Sequence, residues 1–285
     1  MSQPEPTIRV NVDVTNPGQF FACCGLLELA DRLWPGAEGW FEEGAFCVTC
    51  AGTLKALIDK FSKASMRSSL TSDQLKRLGT LLSAAKNKLT EDDLSEKADL
   101  QGKWKIERLY IPEPFDLWLD WWRDDHGNRT EMKTWAAKQM VAGMVKDMQA
   151  LIARRLQTCE YDLKCLSDVG QDDSLAFNFD SDLSAAGAAR DAGFSTDTLG
   201  LKASYCPLLE LMAFIGLQRF KPIRIDASSD EYIFSAWGFP AEVSIASAAA
   251  CAHILTPSCR TYVFRLFSRS KYLKAFLPAK PVSRS

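Results

Sequence analysis

Histidine is almost missing from this chain: His126 and His253 are the only two in 285 residues, and neither sits in a recognisable nucleophile or metal motif. Histidine is the usual proton acceptor for hydrolysis near neutral pH, so its scarcity argues against His-based catalysis. No glycine-rich phosphate loop followed by Lys-Ser or Lys-Thr occurs, which excludes a P-loop ATPase. A run of about eighteen uninterrupted apolar residues is lacking too, so no membrane span is expected. Positive charge is not in excess either: 34 basic residues face 36 acidic ones, for a net charge of −2, and nothing global draws the chain to nucleic acid. The opening Met1-Ser2-Gln3-Pro4-Glu5-Pro6 has neither a positive n-region nor an apolar h-region, so the nine cysteines are expected to sit reduced, in the cytoplasm. Their odd number also argues against a full set of disulfides.

What is present is a composition that folds. With 47% hydrophobic residues the chain can bury a full core, as one large domain or two smaller ones. Charge is unevenly spread. From Arg260 onward there are seven basic residues and no acidic ones, which leaves −9 for the first 259 positions. Among these seven, Arg260, Arg265, Arg269, Lys271 and Lys274 interleave with Tyr262, Phe264, Phe267, Tyr272 and Phe276. Cations neutralise phosphates and aromatic faces stack on exposed bases at about 1–3 kcal/mol each, so this end is the first candidate nucleic-acid surface. The competing reading turns the aromatics into a core and leaves the charges to solubilise an edge strand.

Periodicity predicts an α+β fold of mixed helices and mainly antiparallel sheets, with a long central helix. Residues 8–14 alternate apolar and polar, as a half-buried strand does. Asn16-Pro17-Gly18 then ends the strand, and Asn16 is placed to cap an apolar helix that follows. Helices are expected over 52–64, 72–89 and 207–217, and strands near 45–50, 106–111, 115–122, 175–180, 222–225, 232–237 and 261–267. The acidic run from Glu91 to Asp99 reads as a solvated loop or helix end. Residues 131–157 carry the longest helical pattern, and a junction between an N-terminal region (1–166) and a C-terminal region (167–285) is placed where the chain turns polar. Lys133 and Lys138 give the long helix a basic component beside Trp121, Trp122 and Trp135. Gln139 is a polar residue on its apolar face and needs a partner there, which makes these three further nucleic-acid candidates.

Metal chemistry has two weaker candidates. Cys47 and Cys50 have zinc-ligand spacing and could join Cys23 and Cys24, or Cys159 and Cys165, but the second pair lacks the short spacing of fingers and ribbons, so no metal site is assigned. Asp172, Asp173, Asp180 and Asp182 could hold Mg²⁺ in a nuclease, against which solvated charge is the plainer reading. No cofactor is called for.

Three stretches carry a family resemblance. Residues 16–31, Asn-Pro-Gly-Gln-Phe-Phe-Ala-Cys-Cys-Gly-Leu-Leu-Glu-Leu-Ala-Asp, are the first. Leu119-Asp120-Trp121-Trp122 with residues 133–139 is the second, and Gly193-Phe194-Ser195 with residues 207–222 is the third. Together they resemble a CRISPR-associated protein of type I-U (also called I-G) systems, a Cas-eight-like subunit of the Cascade effector complex. The resemblance implies a non-catalytic subunit that contributes to complex assembly, to recognition of the protospacer-adjacent motif and target DNA, and to recruitment of the helicase-nuclease. Its partners would be the guide RNA, the backbone subunits and target double-stranded DNA. Asn16 and Gln19, in the first motif, would serve the motif itself or assembly. A metal-dependent nuclease acting on CRISPR intermediates, and a scaffold without nucleic-acid contact, remain the alternatives.

Overall fold

A computed structural model describes residues 4–123, 130, 132–135, 139–158, 163–172, 175–183, 204–254, 256–269 and 273–282. Strand β1 (Ile8–Asn11) leads into helix α1 (Pro17–Leu33), whose first turn is closed by Asn16: its Oδ1 accepts from the N–H groups of Gly18 and Gln19 at 3.0 and 3.3 Å. From Phe20 to Ala30 every residue of α1 is buried, as its all-round apolar sequence requires. A hairpin of β2 (Glu38–Glu42) and β3 (Ala45–Thr49), α2 (Leu54–Lys63), β4 (Arg67–Ser68), α3 (Ser72–Ser83), α4 (Glu91–Lys105), β5 (Leu109–Ile111), β6 (Leu117–Leu119) and α5 (Val141–Thr158) follow. The remaining elements are α6 (Pro207–Arg219), β7 (Ile223–Arg224), β8 (Glu231–Trp237), β9 (Ala241–Glu242), α7 (Val243–Ala250), β10 (Cys259–Arg269), β11 (Leu273–Phe276) and β12 (Lys280–Pro281). The fold is α+β, and every strand pairing among the described residues is antiparallel.

Three sheets form. One has the order β1-β3-β2-β9, a second runs β11-β10-β8-β7 with β12 on β10, and a small third is β4-β5-β6. Helix α1 lies between the first two: Phe20 stacks on Phe41 of β2 at 5.1 Å and packs at 4.2 Å on Phe234 of β8. Across α1 runs α6. Their backbones approach so closely that a Cβ on Gly25 would come within 2.0 Å of the Met212 carbonyl oxygen, and one on Gly216 within 2.1 Å of that of Phe21. Only glycine permits this crossing. It is fastened at one end by the buried Glu28 carboxylate, which accepts from Arg32 Nε at 2.7 Å and from Arg219 Nε at 2.6 Å.

One continuous core runs from Ile8 to Ala279, so the junction placed at 166/167 is crossed both by α1 against α6 and by β2 pairing with β9. A small separate cluster of Leu78, Leu81 and Leu100 holds α3 to α4. Among the described residues no helix is long and apolar enough to cross a membrane.

One open choice is decided, and two expectations need correction. The acidic run is the helix end of its two readings and not the loop: it opens α4, where Thr90 and Asp93 form a reciprocal capping box and the acids sit at the helix N-terminus, where the dipole favours them. The long helix begins at Val141 and not near 131, because Trp135 is drawn out of register into a ring cluster, 5.0 Å from Phe177 and 5.8 Å from Trp121. Residues 175–180 alternate like a strand, with Phe177 and Phe179 buried, yet among the described residues they join no sheet, and one backbone bond reaches them, from Phe276 N–H to the Asn178 carbonyl at 3.1 Å. The N–H groups of Phe179 and Asp180 go to the carboxylate of Glu210 instead, each at 3.0 Å from Oε1, and Asn178 adopts a φ of 65°.

Candidate functional site

The stretches that carry the resemblance converge on α6. Gly25 of the first meets Gly216. From the second, the backbone N–H groups of Asp120 and Trp121 donate to Gln218 Oε1 at 2.9 and 3.1 Å, while Trp121 Nε1 donates to the Phe214 carbonyl at 2.8 Å. Trp121, Trp122 and Trp135 are all buried and meet edge to face around Phe214. Their first task is packing. Residues 193–195 lie outside the described residues.

Asn16 sits at a buried polar junction beneath this. Besides capping α1 it accepts from Ser181 N at 3.2 Å, and its Nδ2 donates to Asp180 Oδ1 at 2.7 Å and to Asp182 Oδ2 at 3.1 Å. Burial pushes the Glu210 carboxyl up to about 8, and it raises Asp182 as well. Gln19 Oε1 accepts from Asp13 N at 2.8 Å and so braces the turn before α1. Thus two aspartates of the nuclease candidate are brought together, but through the amide of Asn16. Asp172 turns elsewhere, toward Arg155 at 3.9 Å, and Asp173 lies outside the described residues. Among the described residues no three His, Cys, Asp or Glu side chains converge as metal ligands would. Cys159 and His126 are outside that set.

The C-terminal strand corrects the stacking reading. Tyr262, Phe264 and Phe276 are buried, with Phe264 and Phe276 5.0 Å apart in the core, so none of the three presents a face to a base. Alternation along β10 turns Tyr262 and Phe264 inward and Arg265 outward, whereas Arg260, at the start of the strand, is exposed although it shares their parity. Arg260 is exposed and donates to the Glu42 carbonyl at 3.5 Å; Arg265 is exposed 3.7 Å from Glu231; Lys274 is half-buried. Arg269 closes β10, and Lys271 and Tyr272 lie outside the described residues.

Aromatic surface and positive charge meet elsewhere. Between the last turns of α4 and the segment leading into α5 lies a cleft of about 490 Å³, and Lys133 and Gln139 line it. Three residues that sequence patterning passed over, Trp104, Lys105 and Arg123, line it too, with edges of Trp122 and Trp135 behind. Lys133 is only 9% exposed and holds its ammonium 5.0 Å from the Trp135 ring centre, a cation–π contact. Arg123 donates to the Glu107 carbonyl oxygen, and burial lowers its guanidinium to about 10, still charged at neutral pH. Behind these cations stands Glu107, 1% exposed, whose Oε1 accepts from Ser68 Oγ while its Oε2 has no hydrogen-bond partner among the described residues. Burial raises that carboxyl, against the pull of Ser68 and of the Arg123 and Lys133 charges. Lys138, between Lys133 and Gln139 in sequence, is outside the described residues. The signal that could have found this site was the proximity of Trp104-Lys105 to Trp122-Arg123 across the β5–β6 hairpin, which is visible only once the hairpin is paired. No protein-family model matches the chain, and no curated protein matches it.

Proposed function

We propose that this chain is a non-catalytic subunit of a type I CRISPR RNA-guided DNA-targeting complex, of the I-U/I-G kind, acting in antiviral defence. In that role it contributes to assembly with guide RNA and backbone subunits, to recognition of the protospacer-adjacent motif and target DNA, and to recruitment of the helicase-nuclease, in the cytoplasm. Guide pairing would supply most of the sequence specificity, leaving the protein to read backbone shape and a short element. The resemblance of residues 16–31, 119–122, 133–139 and 207–222 motivates the assembly. The observation that carries nucleic-acid contact is the cleft: three cations and three indoles gathered on a chain whose net charge is −2. A body without net positive charge binds nucleic acid weakly alone and much better when partners supply further contacts.

The test is co-expression with the neighbouring genes, purification through a tag on this chain, and target-DNA binding with varied flanking sequences. Guide RNA recovered with the tagged chain, and flank-dependent binding that disappears when the chain is omitted, are the expected results. Recovery of a lone, RNA-free protein overturns the reading. The inward-facing Tyr262, Phe264 and Phe276 favour the scaffold as the second reading, and in that case the complex forms and binds target equally well after charge reversal at Arg265 and Arg260 and in the cleft.

A further inference from the structure

The geometry points to a single unstacked nucleotide as the occupant of the cleft, its base against Trp104 and its phosphate between Lys105, Arg123 and Lys133. This rests on the reading that the chain contacts nucleic acid, and it narrows that reading to a ligand. Four observations lead there. The cleft's roughly 490 Å³ falls within the range of small-molecule sites and is far too small for a duplex. Among the described residues that line it none is acidic, whereas three are basic, which selects an anion. Trp104 is half-buried, its inner side packed on the Leu78–Leu81–Leu100 cluster, so the indole is braced from behind while it lines the opening. Gln101 and Gln139 add amides that both donate and accept, which is what the edge of a base offers in return.

Base pairing and stacking hide both faces and most of the polar edge of a base inside a duplex. A free mononucleotide or a splayed residue of a single strand presents all three. An acidic peptide would satisfy the cations but leave the glutamine pair and the indole without a matching flat, polar-edged partner. Glu107 does not line the cleft: it is buried behind the cations, with its Oε1 taken by Ser68 Oγ.

The experiment uses the full chain and ligand-observed NMR with AMP, GMP, CMP and UMP, inorganic phosphate, and a tri-glutamate peptide as separate probes. Fluorescence anisotropy with a ten-nucleotide single-stranded RNA, its DNA counterpart and a blunt duplex runs in parallel. Variants are Lys105→Glu and Gln101→Glu, at surface positions of the last turns of α4, with thermal melting to show that both fold. At least one mononucleotide is expected to bind, to compete with the single strand and not with the duplex, and to lose at least fivefold in affinity in both variants. Binding of the mononucleotide alone identifies a free metabolite as the source; binding of both identifies a strand residue. Phosphate or tri-glutamate binding as well as the best mononucleotide, or unchanged nucleotide affinity in two folded variants, overturns the proposal. If guide RNA co-purifies with the tagged chain while the variants keep full affinity, the cleft assignment falls and the assembly reading stands. Nucleotide binding without recovered partners gives the converse.

Discussion

Glu210 is the residue whose state most affects the rest. Its carboxyl lies at a buried junction, accepts the N–H groups of Phe179 and Asp180, and is held protonated up to about pH 8 by burial. A carboxyl whose folded value exceeds its unfolded value of about 4.5 binds more protons in the native state, so its contribution is complete below that value and is lost as pH rises toward 8. Asp182, also raised by burial, acts in the same direction. Melting temperature is therefore expected to fall between about pH 5 and 8 in the wild type. In Glu210→Gln, which keeps an acceptor for the two N–H groups, much of that slope disappears. Glu210→Ala leaves both groups unpaired and costs about 1–3 kcal/mol by urea unfolding at any pH. Asn16 as the cap of α1 was legible in Asn-Pro-Gly. Its bonds to Asp180 and Asp182 were not, since they join positions 164 and 166 residues apart and leave no local pattern.

Among the elements, glycines separate helices that cross from helices that do not. Gly25 and Gly216 each take the place of a side chain that would collide with the other helix's backbone, whereas a Cβ on Gly143 in α5 meets nothing within 4 Å. Gly25→Ala is expected to cost about 1–3 kcal/mol through overpacking. Gly143→Ala, at an ordinary helical position, should gain about 0.4–1 kcal/mol. Denaturant midpoints of the two variants, compared with wild type, check both signs. Apolar α1 and α6, the alternating β8 and β10, and the antiparallel pairing were readable because burial there follows the local period. The beginning of α5 was not, since four ring contacts of Trp135, with Trp121, Trp122, Phe177 and Phe214, override the helical spacing of Met132 and Trp135. The opening of α4 reads in sequence as loop or helix end because its acids are solvated in either case; Thr90 and Asp93, which cap the first turn, decide it.

At the scale of the whole molecule, β2 with β9 and α1 with α6 join early and late sequence into one core. Residues 1–166 and 167–285 expressed separately are accordingly expected to give no cooperative melting transition, whereas mixing the two on refolding restores one; two independently melting halves would contradict the single core. Electrostatics are divided differently. At the C-terminal strand Arg260 and Arg265 are exposed while Tyr262, Phe264 and Phe276 are buried, so these aromatics add no stacking surface to the charge there. The cleft offers both, and it is assembled from α4, the end of the β5–β6 hairpin and the approach to α5, three places with no shared sequence signature.

The crossing of α1 over α6 also sets an order of events in the cell. Glu28 and Arg219 are 191 residues apart, so at about 5–20 residues per second a ribosome needs roughly 10–40 s after α1 emerges before its partner exists. Throughout that interval Phe20 can meet Phe41, but Phe21 and the glycine face of α1 lack Phe234, Phe264, Phe276 and Gly216, all of which come later. A nascent chain of this protein is thus a natural client for a holding chaperone until translation passes α6.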